Sequence, residues 1–468
     1  MKHIHLIGIG GTGLSAIARI LLEMGHTVSG SDRAESPFTR DLQAAGVTIG
    51  IGHRPENVHG ADQVVRSSAI PDDNPEVIAA RTAGIPVLKR ADFLGSLMEG
   101  KTGIAVAGTH GKTTTTAMIA WMLTALNQEP SFIVGGVLAN LGVNARAGKG
   151  NLFVIEADEY DRMFLGLKPT IAVVTNVEHD HPDCYPTPQD FQAAFVEFVS
   201  RLPKHGTLLA CVEDAGASIL LDEAKKLGKN TIAYGIRHSG EAEQKTAQSF
   251  ATVLASNPKG GFTFGASVLG QSATVELQVP GKHNIANALA ALTVSQLVGL
   301  PLQEAARAIG QFTGTGRRFE VRGEAGEVTV VDDYAHHPTE IKATLAAARS
   351  RYPGRRIWAV WQPHTYSRTQ ALFDGFVHSF GDADEVIVTE VFASREPKQE
   401  FSSRQIVDAI PLRGTLSRPA HFISGLPETS NYLISHLRPG DVLLVLSAGD
   451  ANQVSDTVLA HLKEISND

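Results

Sequence analysis

The densest chemistry in this chain is Gly108-Thr109-His110-Gly111-Lys112-Thr113-Thr114-Thr115. The apolar run Gly103-Ile104-Ala105-Val106-Ala107 precedes it, and residues 116–126 follow with apolar side chains at helical spacing. Strand, glycine turn, Lys-Thr and helix make a cradle for a nucleoside triphosphate. Loop amides and the helix N-terminus face the anion, Lys112 neutralises developing charge, and a threonine hydroxyl is available to Mg²⁺. The loop is shorter than the common G-x-x-x-x-G-K-[ST] form, because position 106 is Val106 and not glycine. A chance glycine turn before a helix would leave Lys-Thr-Thr in register unexplained.

Two other clusters belong beside such a loop. Leu152-Phe153-Val154-Ile155 reads as a buried strand ending in Glu156-Ala157-Asp158-Glu159, and Ile171 to Thr175 reads as another, delivering Asn176, Glu178, His179, Asp180 and His181. Ligands of open α/β sheets gather outside the carboxyl ends of the strands, so both clusters point at the nucleotide. Near the start, Gly8-x-Gly10-x-x-Gly13 with Asp32 about 20 residues on has the form of the dinucleotide fingerprint. Alone it reports a pyrophosphate at a helix N-terminus and does not specify nicotinamide. A solvated acidic turn remains the bland reading of Glu156 to Glu159. A structural histidine is the bland reading of any one of His179, His181, His336 and His337.

The elements that must position these residues fall into three α/β units. Residues 1–98 alternate strands at Ile4–Ile9, Thr27–Ser31, Gln63–Ile70 and Ile85–Leu88 with a helix over Leu14–Met24, a Rossmann-like pattern. Residues 99–313 carry the phosphate loop, then short alternating strands around Gly260-Gly261 and Gln271-Ser272, then an alanine-rich helix opened by Gly281-Lys282-His283-Asn284-Ile285-Ala286-Asn287. Residues 314–468 alternate strands at Thr329–Asp333, Arg356–Val360, Glu385–Val388 and Asp441–Val445 with helical stretches, another mostly parallel sheet. Short hinges are expected near 97–101 and 312–316.

Composition sets outer limits. A chain of 468 residues exceeds one ordinary core. A formal net charge of -8 argues against a nucleic-acid backbone as main partner. Cys184 and Cys211 are too few for a disulfide framework. Neither a secretory h-region nor an apolar stretch of the roughly 20 residues that span a bilayer is visible, so a cytoplasmic protein without a membrane partner is expected. Monomer and homodimer both stay open.

Read together, these motifs resemble the Mur ligase family, the ATP-dependent amide-forming enzymes of peptidoglycan synthesis. The resemblance rests on Gly8-Ile9-Gly10-Gly11-Thr12-Gly13, Ser67-Ser68-Ala69-Ile70, Gly108 to Thr114, Glu156 to Glu159, Asp332-Asp333-Tyr334-Ala335-His336-His337-Pro338 and Gln362-Pro363-His364-Thr365-Tyr366-Ser367-Arg368-Thr369. It implies a UDP-sugar domain, an ATPase domain and an amino-acid domain. Lys112 would meet the β/γ-phosphates of ATP, with Gly108, Thr109, Gly111, Thr113 and Thr114 around them. Thr113, Glu156 and His181 would hold Mg²⁺, although a hard cation prefers oxygen and the histidine is carried by resemblance alone. His283, Asn284 and Asn287 would lie on the adenine side, Asp332 would reach the ribose, and Arg318 would face phosphate. His337 and Arg368 would serve the amino-acid substrate, the arginine fork suiting a carboxylate. Gly10, Gly11, Thr12 and Gly13 would carry the UDP pyrophosphate, and Asp32, Ser67 and Ser68 the nucleoside. His110, inside the phosphate loop, would be turned to the UDP-sugar side.

The motifs are most similar to those of the member that adds L-alanine to UDP-N-acetylmuramate. Several siblings place a carbamylated lysine where this chain has Phe195, and the alanine-adding member also lacks that lysine. Tyr160 instead resembles the recycling member, which adds a whole tripeptide to the same sugar nucleotide. Two remoter alternatives are an NAD-dependent oxidoreductase, suggested by the first unit alone, and a nucleotide-dependent binding module without acyl chemistry.

Overall fold

The computed structural model describes residues 1–237, 247–413 and 420–467. Three sheets divide them. The first is wholly parallel, in the order Thr48–Ile51, Thr27–Asp32, His3–Ile7, Gln63–Arg66, Val87–Lys89. The helix Thr12–Glu23 closes it on one side by burying Ile17, Ile20 and Leu21, a helical stripe facing the sheet. The expected strand over Ile4–Ile9 stops at Ile7, because Gly8 takes φ 88° and turns the chain towards the helix.

The second sheet has ten strands. Its phosphate-loop strand, Thr102–Ala107, lies between Ile171–Val174 and Leu152–Glu156 and runs parallel to both. Ile104, Ala105, Val106 and Ala107 are fully buried, as a central parallel strand covered on both faces requires. The acid-bearing strand and the strand leading to His181 therefore flank the loop from opposite sides, and the crevice opens at their carboxyl ends. The short alternating strands expected there form an antiparallel patch: Ser249–Ser256, Phe262–Val268 and Gln271–Glu276 pair antiparallel at one edge. The helix after the loop spans Lys112–Ala125, four residues earlier than the apolar periodicity implies. Its first turn is polar because it faces the crevice rather than the core.

The third sheet runs Glu320–Ala325, Val328–Asp333, Val442–Ser447, Ile357–Gln362, Glu385–Val388, His421–Phe422. Only the first pair is antiparallel. Phe195, at the position where siblings carry a lysine, is fully buried on the helix Pro188–Ser200 and packs edge-on to Phe164 at 5.2 Å and against Phe191 at 5.1 Å. The site is occupied by an aromatic core, which leaves no place for a charged group there.

Candidate active site

Hydrogen bonds hold the phosphate loop in shape from the neighbouring strand end. His110 donates its backbone N–H to Asn176 Oδ1 (2.8 Å), Thr175 Oγ1 donates to the His110 carbonyl (2.6 Å), and Thr109 Oγ1 donates to the Glu178 carbonyl (2.7 Å). Gly111, at φ 79°, caps the helix without a side-chain bond, and a Cβ there would lie 2.9 Å from Asn287 Oδ1. Only glycine fits that turn, and the first-turn amides are left to an anion. Lys112 curls back over the loop, donating to the carbonyls of Gly108 (2.6 Å) and Thr109 (3.1 Å) and to Glu159 Oε1 (2.9 Å). Burial opposes its charge, but Glu159 and Asp158 more than compensate and raise its pKa.

The acids divide into two groups. Glu156 accepts from Thr113 Oγ1 (2.9 Å) and the Gly135 N–H (2.7 Å), and burial pushes its pKa up. Glu159 is 1% exposed and has its pKa lowered: burial works against the charge, and Lys112 and His181 outweigh it. Its Oε2 has no partner among the described residues. His181 stands at φ 55° with Nε2 3.5 Å from Glu159 Oε1. Of the three residues expected to share Mg²⁺, Thr113 and Glu156 are thus in contact, while His181 is held by Glu159. Thr113 and Glu156 offer oxygen donors, the set a hard cation takes.

The third sheet closes the crevice with charge. Arg368 is 4% exposed and donates from Nε to Asp180 Oδ1 (2.8 Å) and from Nη2 to Asp180 Oδ2 (3.2 Å). The fork expected to meet a substrate carboxylate meets one from the chain itself. His110 bridges the same joint, with Nε2 2.9 Å from Glu178 and Nδ1 3.1 Å from Glu340. Burial opposes a charge on this imidazole, but hydrogen bonds to the two carboxylates raise its pKa from 6.5 to about 9. His337 caps the helix Pro338–Arg351, accepting the Thr339 N–H at Nδ1, and its buried Nε2 has no partner among the described residues. Burial, then the charge of His110, lowers its pKa to about 4 and keeps it neutral. Tyr160 lies 5.1 Å from the His181 ring, with its hydroxyl on Asp183 (3.1 Å) and the Arg395 guanidinium 4.1 Å over its ring.

A cleft of about 800 Å³ runs from His110, Gly111, Thr113 and Thr114 to His283, Asn284 and Asn287, with Arg318 and Asp333 opposite. Asn284 and Asn287 are buried and interlocked: Asn287 Nδ2 donates to Asn284 Oδ1 (2.9 Å). Burial, then Arg318, lowers the His283 pKa to about 4. Arg318 lies over the Tyr334 ring at 5.1 Å and 4.0 Å from Glu340. Asp332, expected at the ribose, engages Ser455 and Arg322 (3.7 Å), and the lining residue is Asp333. Successive strand residues face opposite ways, so a shift of one residue changes the face.

At the first sheet, Gly10 donates its N–H to Asp32 Oδ2 (2.8 Å), joining the glycine turn to the end of the second strand. Ser67 packs beneath Gly8, and Ser68 is exposed. Arg66, unnoticed in the sequence, braces this turn through the Ile70 carbonyl (2.6 Å) and Asp72 (2.9 Å). Glu340 and the Asp180–Arg368 pairing were likewise missed. His337-x-x-Glu340 has the spacing of a capping box, the one local signal available for Glu340.

Known proteins arrange the same parts. Three family models match in chain order: "Mur ligase family, catalytic domain" over residues 3–102, "Mur ligase middle domain" over 106–295 and "Mur ligase, glutamate ligase domain" over 317–449. Over 466 residues the chain is 42% identical to the UDP-N-acetylmuramate–L-alanine ligase of Geobacter sp. (strain M21), covering 99% of this chain and 98% of that one. The chain belongs to the Mur ligase family. Among solved members, the UDP-N-acetylmuramate-alanine ligase of Thermotoga maritima superposes with a TM-score of 0.81 at 29% identity, covering 99% of this chain and all of its own. The murein peptide ligase of Psychrobacter arcticus gives 0.71 at 26% identity, covering 99% of both chains. In this Mur ligase the motif residues of the second and third units converge on one crevice, apart from Asp332 on the far face of its strand, while the glycine turn, Ser67 and Ser68 lie on the first sheet.

Two outcomes are expected. Lys112→Ala lowers ATP-dependent phosphate release by about 100- to 1,000-fold, the scale for losing a charge-stabilising group, while circular dichroism stays unchanged; near-normal release from the folded variant contradicts the assignment. Because the His110 pKa is raised on folding, its stabilising contribution is complete below pH 6.5 and is lost as pH rises through about 9. The Tm gap between the native protein and His110→Asn therefore narrows in alkali, and a pH-independent gap contradicts this.

Proposed function

We infer that this chain joins L-alanine to UDP-N-acetylmuramate at the expense of ATP. The observation that carries the reading is the end-to-end similarity to relatives bearing that name, 42% identical across 99% of the chain. The site chemistry agrees with it. A carboxylate is a poor electrophile, so one of its oxygens first attacks the ATP γ-phosphorus and the bond to ADP breaks, giving an acyl phosphate. The amine then attacks the acyl carbon, the carbon–oxygen bond to phosphate breaks, and a proton leaves the nitrogen.

Positioning and charge neutralisation do most of the work in phosphoryl transfer. Lys112 supplies a buried cation at the loop. We assign Thr113 and Glu156 as the oxygen ligands that would hold Mg²⁺, with His181 as the third residue of the set; the metal would neutralise phosphate charge. His337 is neutral and accepts the Thr339 N–H at Nδ1, so its ring proton lies on Nε2, which is unpartnered among the described residues and suited to donate a hydrogen bond to a substrate oxygen. Asp180 fixes one edge of Arg368, which we assign with His337 to the amino-acid substrate. His283, Asn284 and Asn287 take the adenine end, and the Gly10–Gly13 turn, Asp32, Ser67 and Ser68 the UDP end. We place the unit boundaries at 98/99 and 313/314. No described helix is long and apolar enough to cross a membrane, and both nucleotide substrates belong to the cytoplasm.

Tyr160 favours a second reading, the tripeptide ligase, through its place beside His181. Phosphate release is measured with ATP, Mg²⁺ and UDP-N-acetylmuramate, adding L-alanine or L-Ala-γ-D-Glu-meso-diaminopimelate. Release driven by L-alanine, with the matching amide by mass, is expected. Release driven only by the tripeptide overturns the choice of amine, and release indifferent to both leaves an ATPase.

A further inference from the structure

Arg90 is a cation without an assigned task. It opens the helix Arg90–Leu97, the last helix before the phosphate-loop strand, and its side chain is 20% exposed. The guanidinium lies on the glycine turn of the first sheet: a Cβ built on Gly13 would fall 1.7 Å from Arg90 Nη1. The bare glycine at 13 is what lets the arginine rest against the start of the helix Thr12–Glu23. That helix has no side-chain cap and no acidic residue in its first turn. Its first amides therefore remain open to an acceptor.

The partners of Arg90 are poor. Nε and Nη2 meet the sulfur of Met163, the former at 2.9 Å, and Nη2 is 3.8 Å from Asp158 Oδ2. A thioether is a weak acceptor, and 3.8 Å is beyond hydrogen-bond reach. No oxygen among the described residues accepts from this guanidinium. A planar fork left unsatisfied beside open helix amides matches the oxygens of a phosphate. Its position between the Gly13 turn and Asp158 puts it on the line from the nucleotide end to the acid cluster.

We propose that Arg90 binds the pyrophosphate of the UDP-sugar, completing with the Thr12–Gly13 amides a site that the glycine fingerprint alone leaves half-built. This rests on the assignment of the first sheet to the UDP end. Arg90 also touches Met163 and faces Asp158 of the second unit, so the same contact would tie sugar-nucleotide binding to the unit that carries the phosphate loop.

The test is calorimetry on the full chain and on Arg90→Met and Arg90→Lys, titrated with UDP-N-acetylmuramate, UDP and a non-hydrolysable ATP analogue. Methionine keeps the packing and removes the donors. It should weaken UDP-N-acetylmuramate and UDP alike by about 10- to 100-fold, the range for a charge-assisted pair. Lysine should restore part of the loss, and the ATP analogue should bind as before. Equal affinities in native and variant proteins overturn the proposal. So does a loss confined to UDP-N-acetylmuramate, which would give Arg90 to the muramoyl carboxylate, and so does an equal loss for the ATP analogue, which would make the residue structural. If the native chain binds the ATP analogue but neither uridine nucleotide, the assignment of the first sheet itself falls. Should Arg90→Met not fold, Arg90→Lys decides, since a shorter, unforked cation must still bind UDP more weakly.

Discussion

Everything at the crevice depends on charges buried across the joint between the second and third sheets. Arg368 comes from one side and Asp180 from the other, each about 4% exposed, with both oxygens of the acid engaged. Neither charge is tolerable in that environment alone; removing one partner of such a pair typically costs about 3–5 kcal/mol. His110 repeats the arrangement, standing between Glu178 of its own unit and Glu340 of the other. The phosphate loop is therefore anchored to the third sheet through its own histidine, and His110, Glu178 and Glu340 form one wall of the cleft. A reactive acyl phosphate needs such a wall to keep water away.

Contacts within the second unit sort the acids. Glu159 is claimed by Lys112 and His181, which leaves Glu156 with only a hydroxyl and an amide for company. Burial then raises the Glu156 pKa, and a cation at that oxygen pair would relieve the penalty. Lys112 meanwhile holds loop carbonyls and Glu159, contacts a phosphate can exchange for its own oxygens. At Glu156 an arriving cation would relieve a burial penalty, whereas at Lys112 an arriving phosphate would exchange for hydrogen bonds already made.

Much of this was legible because it is local. The loop Gly108–Thr115, the apolar strands on either side and the acid-tipped strand ends occupy short stretches, and their physics is that of neighbours in sequence. The antiparallel patch was visible from Gly260-Gly261 and Gln271-Ser272 for the same reason. What escaped were the long-range pairings. Asp180 and Arg368 lie 188 positions apart, and His110 and Glu340 lie 230 apart. No periodicity reports such a contact. Asp332 and Asp333 show a subtler limit: their strand was plain, but which of two adjacent acids faces the cleft is set by the pleat and by Ser455 far along the chain. The helix start at Lys112 escaped because a ligand-facing turn carries no apolar signal.

The central claim is that the muramoyl carboxylate is activated by phosphorylation within this crevice. Oxygen-18 placed in that carboxylate tests it directly. With ATP, Mg²⁺ and L-alanine, attack of the amine on the acyl carbon expels the labelled oxygen with phosphate. The account predicts one oxygen-18 in each inorganic phosphate released, read by mass spectrometry. Unlabelled phosphate accompanying amide formation would mean that ATP hydrolysis and bond formation are separate events, and would contradict it.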